Sequence, residues 1–174
     1  MKDNPLRYGT LTRFFHWLMA LGFAWMLFTA ISRFIDKESA LTKAVFAYHP
    51  QIGFTLLLLG ILRVLWALSQ RSERPLGEGM ARVGHFLLYA LMIIVPVLAL
   101  LRSFGSGRGF SYWGTVPVIA PSEDKIDALV QLGNNFHGLL GWTLFALIIG
   151  HILFAIKHRL AGGDEDVMPR IIGR

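Results

Sequence analysis

The sequence predicts an all-α integral membrane protein, a four-transmembrane-helix up-down bundle forming a single membrane domain over residues 1–174. Three observations predict it. The chain is 54% hydrophobic and only 16% charged, too apolar for an ordinary soluble domain. Four stretches, 14–31, 45–68, 83–101 and 136–156, approach the roughly 20 apolar residues that a bilayer core of about 30 Å demands of a helix. The cations are split unevenly between the loops. One side would hold Lys2, Arg7, Arg13, Arg63, Arg71, Arg74, Arg82, Lys157, Arg159, Arg170 and Arg174, and the other Arg33, Lys37, Lys43, Arg102, Arg108 and Lys125. Eleven against six favours cytoplasmic termini on the positive-inside rule. The net charge of +6 is thus spread over loops and tails, which argues for topology and against a nucleic-acid surface.

The first span follows a basic leader but is longer than the roughly 7–15 apolar residues of a signal peptide, and no small-x-small cleavage site follows it. A short outer loop, 32–44, leads into the second span. The inner loop SQRSERPLGEGMAR, 69–82, carries the Pro and Gly of a turn-rich linker. In the third span Pro96 costs a backbone hydrogen bond and is expected to kink the helix. The long outer loop, 102–135, begins Gly-rich and aromatic, with Tyr112 and Trp113 expected as interface anchors. Ser122 followed by Glu123 and Asp124 then predicts a short interfacial helix over 123–132. After the fourth span, AGGDEDVMPRIIGR reads as a flexible tail. The absence of cysteine excludes disulfides, thiolate clusters and covalent attachment of a c-type haem.

All six histidines, His16, His49, His85, His137, His151 and His158, lie within or at the ends of the spans. Ionisable groups there are costly and face the bundle interior. At about 100° and 1.5 Å per residue, the fourteen steps from His137 to His151 return to within roughly 40° of the same face, about 21 Å further along the axis. Two ligand positions at two depths imply two cofactors. Following the chain up and down, His16 is level with His151, and His49 with His137. Zinc would want three or four ligands, and the spans supply no Asp, Glu or Cys at these depths. Haem iron needs only two axial ligands, so a facing pair suffices. Gly53, Gly84, Gly138, Gly141 and Gly150, small residues beside the histidines, would leave room for a macrocycle, although membrane glycines more often serve helix contact. Arg63, fourteen residues after His49, projects from the same face at the cytoplasmic end, where a haem propionate would pair with it; snorkelling to lipid headgroups is the alternative.

These residues resemble the bacterial cytochrome b561 family, whose four-helix architecture is shared with the membrane cytochrome b subunits of nickel-iron hydrogenases. The resemblance rests on R-x-x-H-W at the first span (Arg13, His16, Trp17), a histidine opening the second (His49), G-H-x-x-x-Y with a later proline in the third (Gly84, His85, Tyr89, Pro96), and H-x13-H-x6-H in the fourth (His137, His151, His158). Length, short tails and the third-span pattern are most similar to the small superoxide oxidase type. The resemblance implies a bacterial inner-membrane protein with two b haems, on His16 with His151 and on His49 with His137. It also implies a reaction in which superoxide is oxidised at the periplasmic face and ubiquinone is reduced. Arg33, Lys43, Arg102, Arg108 and Lys125 would draw the anion, against Asp36, Glu38, Glu123, Asp124 and Asp127 on the same surface. His158 first and His85 second are candidates for the quinone site, because a histidine at the interface can both hydrogen-bond and deliver protons. For His158 the competing reading is a solvated basic helix end, favourable at any helix carboxyl terminus. Two further functions compete: an electron-transfer subunit linking a dehydrogenase or hydrogenase partner protein to the quinone pool, and a haem-free transporter with a proton relay.

Overall fold

The structure is a computed structural model that describes residues 2–73, 79–163 and 166–173. Four long helices dominate it: α1 (Thr10–Ile35), α3 (His49–Ser69), α4 (Gly79–Gly105) and α5 (Asp127–Ala161). A short α2 (Ala40–Phe46) precedes α3, a hairpin of β1 (Phe110–Tyr112) and β2 (Val116–Ile119) follows α4, and α6 (Met168–Ile172) ends the chain. The expected turn around Pro75 and Gly77, and the charges of Arg74 and Arg174, lie outside the described residues.

The long helices are long and apolar enough to cross a membrane, and their surfaces bear this out. Leu21, Phe86 and Leu139 are 72%, 69% and 60% exposed, which suits contact with lipid chains and would be costly in water. Inside, Met19 of α1, Leu56 of α3, Leu88 and Met92 of α4 and Leu144 of α5 form one small core. α1 packs on α3, α3 on α4 and α4 on α5. This is the up-down bundle, with both termini at one end, here called the terminal end, and the β-hairpin at the other.

The tightest helix contacts are made by glycines away from the histidines. A Cβ on Gly22 would meet Leu56 Cδ2 at 2.7 Å, one on Gly105 would meet Leu129 Cβ at 2.7 Å, and one on Gly133 would collide with Arg102. By contrast, a Cβ on Gly84, Gly138 or Gly150 meets nothing within 4 Å. Gly84, Gly138 and Gly150 therefore leave open space beside the imidazoles, whereas Gly53 faces Met26 Cε of α1 (3.4 Å) and Gly141 faces Val95 of α4 (3.9 Å).

Two expectations are corrected, and the aromatic part of the outer loop takes a defined structure. No separate interfacial helix covers 123–132: helix begins at Asp127 and runs unbroken to Ala161. The physical reason is the close α4–α5 contact at Gly105 and Gly133, which gives the first turns of α5 a packing partner. Ser122 does not cap that helix; its hydroxyl accepts from Asp124 N–H within a local turn (3.1 Å). Tyr112 is pinned to protein, its hydroxyl 2.8 Å from Thr55 Oγ1, while Gln51 Oε1 accepts from the Trp113 N–H (2.8 Å). The aromatic loop is thus a β-hairpin docked on the first turns of α3, turning at Trp113 and Gly114, both at positive φ. Finally, the tail is not free. Arg170 O accepts from Tyr8 N–H (3.1 Å), Ile171 O accepts from the Trp17 indole (3.4 Å), and Arg159 pairs with Asp166, so α6 is held against the start of α1.

Candidate functional site

Two pairs of imidazoles face each other at two levels of the bundle. At the terminal end, the rings of His16 on α1 and His151 on α5 have centroids 6.3 Å apart, with planes at 57°. At the hairpin end, His49 on α3 and His137 on α5 stand 6.3 Å apart at 77°. The helices carrying each pair, α1 with α5 and α3 with α5, are not the closely packed neighbours of the bundle, so the rings meet across a gap that side chains alone bridge. Each separation has room for one metal atom at the bond length of about 2 Å that imidazole takes to a metal. Among the described residues no group of three or more His, Cys, Asp or Glu could hold a metal ion alone. The arrangement therefore suits a metal that brings its own equatorial ligands, as haem iron does.

Hydrogen bonds decide which ring nitrogen is available at the hairpin end. The Thr29 hydroxyl donates to Met26 O (2.9 Å), so it has only a lone pair to offer His49 Nδ1, 2.8 Å away. With the hydroxyl proton engaged in that way, the contact is the one made by a His49 protonated on Nδ1 with a bare Nε2. His137 does the same, donating from Nδ1 to Val95 O (2.9 Å). An acceptor behind the ring is the arrangement that fixes the tautomer of a metal-bound histidine.

The terminal end differs. Arg63 lies there, its Nε donating to the Tyr89 hydroxyl (3.3 Å) and its Nη2 3.1 Å from His16 Nδ1. Because guanidinium has only donors, His16 Nδ1 is the acceptor in this contact. His85, on α4, adjoins the same cluster, its ring centroid 5.4 Å from that of His151. His158 is half-buried in the last turns of α5, its ring 6.3 Å from Phe154; it is not the fully solvated residue of a helix end.

The hairpin-end cations fall into two groups. Arg33 lies over the Phe46 ring (4.7 Å), and Phe46 stacks on His49 at 4.7 Å and 15°. Arg33 and Arg102 are near enough to act electrostatically on His49, as Arg33 and Arg108 are on Arg102. Lys43 instead pairs with Glu38 (3.0 Å), and Lys125 sits in an exposed run before α5. Sequence reasoning missed Thr29, Phe46 and the Val95 carbonyl. A hydroxyl inside an apolar span is a visible signal for Thr29, but its register against His49 depends on how α1 and α3 pack.

Comparison with known proteins agrees with this geometry. The family model described as prokaryotic cytochrome b561 matches residues 7–174. The chain is 28% identical over 182 residues to cytochrome b561 homolog 2 of Escherichia coli (strain K12), covering 99% of this chain and 94% of that one. It is 25% identical over 127 residues to the probable superoxide oxidase CybB of Yersinia pestis, covering 69% and 70% of the two chains.

Proposed function

The chain belongs to the prokaryotic cytochrome b561 family, and from that premise we propose that it is a di-haem b cytochrome that oxidises superoxide at the periplasmic face and reduces ubiquinone. Its family makes it a multi-pass bacterial membrane protein of b-type electron transfer; the haem count, substrates and orientation, with cytoplasmic termini in the inner membrane, are part of the proposal. The observation that carries it is the pair of imidazole pairs, each 6.3 Å across, separated along α5 by about 21 Å.

His16 with His151 and His49 with His137 would hold the two irons. Haem would supply a one-electron iron couple and, held by two imidazoles of the chain at each site, would pass electrons without binding substrate at the metal. Arg63 would release His16 and pair with a propionate, a charge-assisted contact suited to its forked donors. Arg33, Arg102 and Arg108 would attract the anionic donor to the hairpin end. Lys43 and Lys125 would contribute less, since Lys43 is already engaged by Glu38. Two superoxide anions each lose one electron and leave as dioxygen, and the two electrons with two protons convert one ubiquinone to ubiquinol. His158, with His85 as second candidate, would hydrogen-bond the quinone and pass those protons.

Purified protein tests this directly. Two haems per chain, a b-type α band in the reduced-minus-oxidised spectrum and quinone-dependent loss of superoxide are expected. A colourless protein expressed with ample haem supply would overturn the cytochrome reading for this chain. A second reading is an electron-transfer subunit for a dehydrogenase or hydrogenase partner, which would use the same two imidazole pairs. Two haems, inactivity alone and co-purification with a large redox subunit would select it.

A further inference from the structure

We infer that Thr29 is a positioning residue for the hairpin-end haem: its hydroxyl accepts the Nδ1 proton of His49, fixing the ring and tautomer that present Nε2 to iron. The inference rests on the di-haem reading but goes beyond it, since it concerns a residue on a different helix from the histidine it serves.

Thr29 is fully buried, at 0% exposure, in an apolar span. A threonine in a membrane helix commonly donates to a carbonyl one turn back, and Thr29 does so to Met26 O. That bond satisfies its proton and leaves its remaining lone pairs facing His49 Nδ1 at 2.8 Å. A donor-only partner there would force the opposite tautomer, as Arg63 does at His16. A valine would leave the Nδ1–H buried without an acceptor, and the ring could then turn or exchange its proton to Nε2. The acceptor also makes Nε2 more electron-rich, which favours ferric over ferrous iron. On the other side of the iron position, His137 has its own acceptor in Val95 O, so the 77° angle between the two ring planes is set independently from α1 and from α4.

The test compares wild type with Thr29→Val, Thr29→Ala and Thr29→Ser in detergent. It reads haem per chain, the low-spin ferric EPR signals, which report the angle between axial ring planes, and the midpoint potential of each haem. Thr29→Val is expected to weaken haem binding at one site about 10–100-fold, the usual cost of losing such a partner. The haem that remains bound at that site should shift in EPR signal and move to a more positive potential, while the second haem is unchanged. Thr29→Ala should behave like valine and Thr29→Ser like wild type. The inference is overturned if valine leaves both EPR signals and potentials unchanged, or if serine fails as valine does, since size would then be the cause. Should Thr29→Val not assemble, the serine and alanine pair decides by the same readings. Fewer than two haems in wild type would overturn the di-haem reading itself, before any variant is compared.

Discussion

Alanine at His16 and alanine at His85 separate two ways of building the terminal-end site, because both imidazoles lie near His151. With metal bonds of about 2 Å and about 1.1 Å from ring nitrogen to centroid, two imidazoles opposed on one metal stand roughly 6.2 Å apart. His16 and His151 are 6.3 Å apart, whereas His85 and His151, at 5.4 Å, are too close by most of an ångström. A structural metal site gains about 10–16 kcal/mol from four ligands, so one imidazole is worth on the order of 3 kcal/mol, or about a hundredfold in affinity. His16→Ala should therefore lower the count from two haems per chain to one, and His85→Ala should keep two. The hairpin-end haem should persist in both variants, since it is about 21 Å away along α5 and effects at such distances are usually independent. The assay is haem extracted and counted per chain after purification, with helix content as the control for folding. If His85→Ala loses a haem while His16→Ala keeps both, the separation argument fails.

Three other outcomes are expected. Replacing Arg33 and Arg108 together by alanine should slow quinone-dependent superoxide loss several-fold at low salt, and the difference should fade as ionic strength approaches 1 M, where the Debye length is about 3 Å; a deficit that persists at high salt would point to damage instead of steering. Gly133→Val should destabilise the bundle by about 1–3 kcal/mol or more, because its side chain would collide with Arg102; thermal unfolding in detergent reads this, and an unchanged midpoint would refute the α4–α5 contact. Removing residues 166–173 deletes the bonds to Tyr8 and Trp17, each worth about 1 kcal/mol, and should increase proteolysis near the start of α1 while leaving the haem count intact.

What could be read from the sequence was what a single helix determines. The fourteen residues between His137 and His151 fix a shared face and a depth difference without knowledge of any other element. The even number of spans then puts His16 opposite His151 and His49 opposite His137 by counting. What could not be read depends on contacts between elements. Helix extends back to Asp127 because α4 runs far enough, to Gly105, to support it, and neither extension shows in hydropathy. The hairpin at 110–119 turns at Trp113 and Gly114; Gly114 is an ordinary turn residue, but Trp113 is of a type rarely found at positive φ, so the turn's position was not legible. α6 is five residues long, too short to form alone, and exists through its bonds to α1.

Arg63 shows how much more a spacing carries once chain direction is included. α3 and α5 both run from the hairpin end to the terminal end, and each begins its ligand face with a histidine, His49 and His137. Fourteen residues on, one helix presents His151 and the other Arg63, so equal rise on co-directional helices brings Arg63 level with the second imidazole pair. Its contact with His16 Nδ1 follows from that. The contact also limits what can happen next. A neutral His16 that gives Nε2 to iron must carry its proton on Nδ1, and a guanidinium, having only donors, cannot remain hydrogen-bonded there. Filling the terminal-end site therefore requires Arg63 to turn away from His16, and a carboxylate acceptor such as a haem propionate would satisfy the freed donors while the Tyr89 hydroxyl keeps the guanidinium at the same depth.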